Sequence, residues 1–101
     1  MSLLNFLFGG NSNKIKDYLG KGAVLLDVRT KQEFDSGAIK NAIHIPLQEL
    51  NLRFEEVKKL NKPVIAYCKS GVRSGRATGL LNSKNIDTIN GGGIESLKQE
   101  L

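Results

Sequence analysis

Apolar residues fall along this chain in two alternating rhythms. Short continuous runs occur at Ala23-Val24-Leu25-Leu26-Asp27-Val28, Ala42-Ile43-His44-Ile45, Val64-Ile65-Ala66-Tyr67 and residues 86–89. Runs of this length, closed by Gly or Pro, read as strands covered on both faces. Between them the spacing becomes helical. Ile15, Tyr18 and Leu19 share one face of a helix over residues 13–19, capped by Ser12 or Asn13 and broken at Gly20-Lys21-Gly22. Thr30 and Glu33 form a capping box for a short helix through Phe34 that ends near Gly37. Pro46 stops the second strand, and Leu47, Leu50, Phe54, Val57 and Leu60 mark a helix over residues 47–60. A helix over residues 74–82 turns Ala77, Leu80 and Leu81 inward. Asn90-Gly91-Gly92-Gly93 reads as a flexible turn before a last helix over residues 94–101.

Strands that alternate with helices predict an α/β fold. The expected form is an open parallel sheet of four to five strands with helices on both faces. Ligands in such sheets lie beyond the carboxyl ends of the strands. Asp27, Arg29, Cys68 and the glycine turn all emerge there.

A chain of 101 residues suits one domain with one core. Lys and Arg number 15 against 10 Asp and Glu, a formal charge of +5. That balance favours anionic ligands or acidic partner surfaces. The lysines are scattered and aromatics are few, so a solvated basic surface is preferred over nucleic-acid binding. The apolar start, residues 1–11 with Leu3, Leu4, Phe6, Leu7 and Phe8, has no basic residue before Lys14 and is interrupted by Asn5. It reads as a short arm packed on the domain or on a partner rather than a signal peptide, and it is too short to span a membrane. The single cysteine excludes an internal disulfide and fits a reducing compartment; the cytoplasm is expected.

That cysteine, Cys68, ends the third apolar run and opens the loop Lys69-Ser70-Gly71-Val72-Arg73-Ser74. A thiol attacks as its thiolate, and this loop offers what lowers a thiol pKa. Its amides at residues 69–74 can form a nest around sulfur, the following helix adds its positive end, and Lys69, Arg73 and Arg76 add charge. Gly71 and Gly75 permit tight turns. A small buried core cysteine is the plainer alternative, but such a residue needs no polar, arginine-flanked loop after it. The chain's one histidine, His44, is expected at a strand rim rather than in a Cys–His dyad. Neither a CxxC pair nor a set of metal ligands is present in the sequence.

The pieces Leu26-Asp27-Val28-Arg29, Glu33-Phe34, Gly37-Ala38-Ile39, Ala42, Ile45-Pro46, Tyr67-Cys68-Lys69-Ser70-Gly71-Val72-Arg73-Ser74 and Asn90-Gly91-Gly92-Gly93-Ile94 occur in this order. Together they resemble a single-domain rhodanese, a sulfurtransferase, over residues 12–101. The resemblance implies that Cys68 takes a sulfane sulfur from a small anionic donor such as thiosulfate and passes it, as a persulfide, to cyanide or a thiol. The acceptor is expected to be a low-molecular-weight thiol or a thioredoxin-like protein. Cofactors, nucleic acid and stable membrane insertion are not expected. Lys69, Ser70, Gly71, Val72, Arg73 and Ser74 would bind the donor and persulfide, with Arg73 gripping the anion or bracing the loop. Asp27 and Arg29 would support the loop as a structural ion pair.

Three positions depart from the family pattern. Ala38 stands where a histidine is frequent, Asn41 where a glycine is frequent, and Leu97 where a tryptophan often follows the glycines. Phosphatases and arsenate reductases of similar fold resemble the loop but carry one more residue between cysteine and arginine. A non-catalytic rhodanese-like module that binds a partner or senses redox state is the alternative function.

Overall fold

The computed structural model describes residues 12–101; the apolar arm, residues 1–11, lies outside the described residues. Helix α1 spans Ser12–Gly20, strand β1 Val24–Asp27 and helix α2 Lys31–Asp35. Strand β2 spans Ile43–His44, helix α3 Leu47–Lys58 and strand β3 Val64–Cys68. Helix α4 spans Val72–Ser83, strand β4 Thr88–Gly93 and helix α5 Ile94–Lys98. The strands form one parallel sheet of four, in the order β2-β1-β3-β4. The chain is therefore α/β with a four-stranded parallel sheet.

Strand periodicity sorts the core into two layers. On β3, Val64, Ala66 and Cys68 point to one face, where Leu50 and Val57 of α3 and Ala77 and Leu81 of α4 cover them. Ile65 and Tyr67 point to the other, where they meet Ile15 and Tyr18 of α1 and Ile94 and Leu97 of α5. All five β3 residues are buried. This explains why the run shows no polar alternation: each side of the strand has its own helical cover.

The capping box at Thr30 forms as expected, with the Thr30 hydroxyl accepting from the Glu33 amide and the Glu33 carboxylate accepting from the Thr30 amide. Several boundaries differ from the sequence expectation; the last helix, α5, stops at Lys98 rather than at Leu101. Helix α1 already includes Ser12 and Asn13, so neither caps it from outside. Helix α3 stops at Lys58, and Asn61 beyond it adopts a positive φ of 54°. Helix α4 begins at Val72 rather than at Ser74, because Gly71 takes a left-handed φ of 103° as its N-cap.

The largest difference lies in β4. Asn90-Gly91-Gly92-Gly93 is not a flexible turn but the last four of the six residues of β4, which starts at Thr88 rather than at residue 86. Tyr67 pairs with Gly92 and Cys68 with Gly93 after a register shift beside Ala66. A Cβ on Gly93 would lie 2.5 Å from the carbonyl oxygen of Lys69. The glycine is there for close approach to the Cys68 loop, not for mobility. Ile86 sits before the strand, and its amide caps Leu81 at the end of α4.

Two of the departures from the family pattern have a structural account. Asn41 has a φ of 70°, a conformation that asparagine tolerates better than most residues and that glycine adopts freely. Leu97 is fully buried against the β3 layer, so an aliphatic residue fills that core position. No helix among the described residues is long and apolar enough to cross a membrane.

Asp27 and Arg29 form a buried ion pair at the carboxyl end of β1. Arg29 Nη2 lies 2.8 Å from Asp27 Oδ2, and Arg29 Nε and its backbone amide also donate to the carboxylate. Arg29 Nη2 donates as well to the carbonyl of Gly37 at 2.8 Å. Removing the guanidinium leaves a buried carboxylate without its partner. Arg29→Met is expected to lower stability by about 3–5 kcal/mol, read from thermal or denaturant unfolding.

Candidate active site

The site begins with the strand. β3 delivers Cys68 to its carboxyl end with no exposed surface. Residues 69–71 then reverse the chain, and α4 starts immediately. The tightness of this reversal rests on the positive φ of Gly71. It turns the amides of the loop back on the sulfur. The Gly71 amide donates to Sγ at 3.0 Å and the Ser74 amide at 3.4 Å. The Ser74 hydroxyl lies 3.3 Å from Sγ.

Burial pushes the Cys68 thiol up, but the Ser74 hydroxyl and the amides of Ser74, Gly71 and Ser70 outweigh it. The thiol therefore ionises below its ordinary value. The loop forms a nest of donors around the protein's own sulfur.

The structure brings some of the sequence-picked residues to the sulfur and sends others elsewhere. Gly71 and Ser74 reach it directly, and Ser70 contributes its amide. The side chains of Lys69, Ser70 and Val72 are exposed along the loop, as is that of Arg76 on α4. Arg73 turns away to α2, where Nη1 and Nη2 donate to the two Glu33 oxygens at 2.7 and 3.0 Å. In this geometry Arg73 braces the loop rather than reaching for an anion. Asp27 and Arg29 hold the segment at residues 37–39, not the Cys68 loop. Beside them the Tyr67 hydroxyl accepts from the Ile39 amide at 3.1 Å, and burial pushes that phenol up to about 12. His44 stacks on Phe34, with ring centroids 4.4 Å apart, and its Nε2 bonds the Arg29 carbonyl at 2.8 Å. It is tied to the rim of the sheet, with both of these partners on the β1–α2 segment.

Two residues of the site escaped sequence reasoning. Glu33 stands in the sequence as half of a capping box and as a piece of the rhodanese-like pattern, and neither signals its partner forty positions away. Asn90 was read as part of a turn. Its Oδ1 accepts from the Ser74 hydroxyl at 2.7 Å and from the Gly92 amide at 2.9 Å, and its Nδ2 donates to the Gly71 carbonyl at 2.9 Å. No group of three or more His, Cys, Asp or Glu among the described residues is placed to hold a metal ion.

The profile of the rhodanese-like domain matches residues 11–100. The chain belongs to the rhodanese-like domain family. It is 43% identical over 67 residues to the uncharacterized protein YqhL of Bacillus subtilis, covering 66% of this chain and 52% of that one. It is 34% identical over 79 residues to the thiosulfate sulfurtransferase GlpE of Haemophilus influenzae, covering 75% of this chain and 74% of the relative. The rhodanese-related protein of Thermoplasma volcanium superposes with a TM-score of 0.74 at 28% identity, covering 88% of each chain. The rhodanese domain thus spans only about half the length of the first of these relatives.

The Glu33–Arg73 pair makes a testable electrostatic contribution to this rhodanese domain. The Arg73 guanidinium, and after it the Thr30 amide, hold the Glu33 carboxyl at about 2 against an ordinary 4.5. A folded-state value below the unfolded one stabilises the native protein above the unfolded value, and the gain is lost as pH falls through the folded value. Stability is therefore expected to fall as pH drops from about 4.5 towards 2. Glu33→Gln should flatten that part of the pH–Tm curve and lower Tm at neutral pH.

Proposed function

We propose that this protein is a sulfurtransferase. It moves a sulfane sulfur from a donor such as thiosulfate to a thiol or cyanide through a persulfide on Cys68. The observation that supports this most is the Gly71 amide at 3.0 Å from Sγ, with the amide and hydroxyl of Ser74 on the same sulfur. These donors replace the water that burial removes. They favour a thiolate before attack, and a persulfide anion after it is a charge of the same kind one atom further out. The kinship with relatives named thiosulfate sulfurtransferases points the same way.

The proposed steps balance as follows. The Cys68 thiolate attacks the sulfane sulfur of thiosulfate, a sulfur–sulfur bond forms, and the bond to the sulfonate sulfur breaks. Sulfite leaves with the electron pair. The carbon of cyanide then attacks the terminal sulfur, thiocyanate leaves, and the thiolate returns. A thiolate acceptor instead departs as a persulfide anion. A cysteine this buried is best reached by a terminal atom, and sulfane sulfur is terminal. The exposed charge of Lys69 and Arg76 would draw the anionic donor to the loop. A free thiol of this kind suits the cytoplasm, where reductants keep it unpaired.

Cys68→Ser keeps the loop length and a small polar atom at the same place. The variant is expected to fold and to form thiocyanate from thiosulfate and cyanide no faster than the uncatalysed background. Measurable turnover by the folded variant would contradict the mechanism.

A further inference from the structure

Four donors act on the sulfur, the amides of Ser70, Gly71 and Ser74 and the Ser74 hydroxyl, and one residue behind them bonds both Gly71 and Ser74. The Asn90 side chain stands on β4, opposite the loop. Its Nδ2 donates to the carbonyl of Gly71 at 2.9 Å, and the amide of Gly71 in turn donates to Sγ at 3.0 Å. Its Oδ1 accepts from the Ser74 hydroxyl at 2.7 Å, and that hydroxyl lies 3.3 Å from Sγ. The orientation of the carboxamide is fixed, because the Gly92 amide also donates to Oδ1 at 2.9 Å. Turned over, the group would set an NH2 against the Gly92 N–H and an oxygen against the Gly71 carbonyl. Gly75 packs tightly here as well: a Cβ on it would meet Asn90 Nδ2 at 3.3 Å.

We propose that Asn90 is a positioning residue for the chemistry of Cys68, one carboxamide that aims both the Gly71 amide and the Ser74 hydroxyl at the sulfur. This rests on the reading of Cys68 as the nucleophile. A nest of donors stabilises a thiolate only while its members stay aimed, and loop residues with exposed side chains, such as Ser70 and Val72, provide no such restraint. Asn90 ties the loop to the sheet at its left-handed glycine and at the first turn of α4, the two points where the donors arise. The Ser74 hydroxyl has one proton and three acceptors in reach, Oδ1 at 2.7 Å, the more distant Gly92 carbonyl at 3.5 Å, and an ionised Sγ at 3.3 Å. Asn90 takes that proton when the sulfur is protonated, and retains the Gly92 amide as a partner when the proton turns to a thiolate.

Two variants test this on the intact protein. Asn90→Asp keeps the size but sets an oxygen against the Gly71 carbonyl and a negative charge one hydroxyl away from sulfur. The thiolate is followed by its ultraviolet absorbance against pH, as the difference from Cys68→Ser. The midpoint is expected to rise by about one unit or more, which is about tenfold less thiolate at a pH below it. Asn90→Ala removes both bonds to the loop, and that to the Gly92 amide, without adding charge. In that variant the Gly71 amide hydrogen should exchange about tenfold faster, with Leu26 and Ala66 of the central strands unchanged. A folded Asn90→Asp protein with the wild-type midpoint overturns the proposal. If that variant does not fold, wild-type exchange at Gly71 in Asn90→Ala overturns it. Both readouts follow the loop and the thiolate, not turnover, so they are separable from any failure of sulfur transfer itself.

Discussion

A sulfur atom with no exposed surface holds negative charge only where donors of the protein stand in for water. At Cys68 that substitution is made by backbone amides and one hydroxyl, all within six residues of the sulfur. Much of the surrounding structure follows from it. The reversal after β3 must be tight enough to turn amides inward, which requires the left-handed Gly71. The first turn of α4 must start at once, so that Ser74 faces back to the strand end. β4 must come close enough to back the loop, which is why Gly93 lies where a Cβ would strike the Lys69 carbonyl. The loop is then tied sideways to α2 by the two hydrogen bonds between Arg73 and Glu33.

The sheet supplies the rigidity that this arrangement needs. β3 is central, buried on both faces and paired on both edges, so the position of Cys68 is set by two strands and two helical layers at once. At the neighbouring strand end, Asp27 and Arg29 are spent on structure: they fix the segment at residues 37–39 and leave the sulfur to its own loop. A positive charge is near the site, but its best-placed guanidinium is already engaged by a carboxylate. Charge around the mouth therefore comes from exposed side chains such as Lys69 and Arg76, whereas ionisation of the thiol is governed by dipoles in contact with it.

The parts of this picture that depend on neighbouring residues were legible in the sequence. The apolar runs located the first three strands, the Thr30–Glu33 spacing located a capped helix, and the glycine, serines and arginine after Cys68 marked a loop that turns donors on the sulfur. What the sequence hid was long-range. Three consecutive glycines suggest mobility, and only the approach of the Lys69 carbonyl shows that they are a tightly paired strand. The fork of Arg73 suits a bound anion and a bracing carboxylate equally well, and Glu33 is forty residues away. Asn90 carries no local mark of its contact with the loop, because the register shift that places it arises from pairing with β3. Composition and periodicity report on burial; they do not report which polar groups meet across a sheet.

The central claim is that this nest holds a thiolate ready to take one sulfur. It is tested most directly by the intact mass of the protein after exposure to thiosulfate and removal of excess donor. The account predicts a gain of one sulfur, about 32 Da, located on Cys68, and its loss when cyanide is added. An unchanged mass across several sulfane donors, from a protein that is folded and whose thiol is reduced, would contradict it and would favour a rhodanese-like module that binds without transferring sulfur.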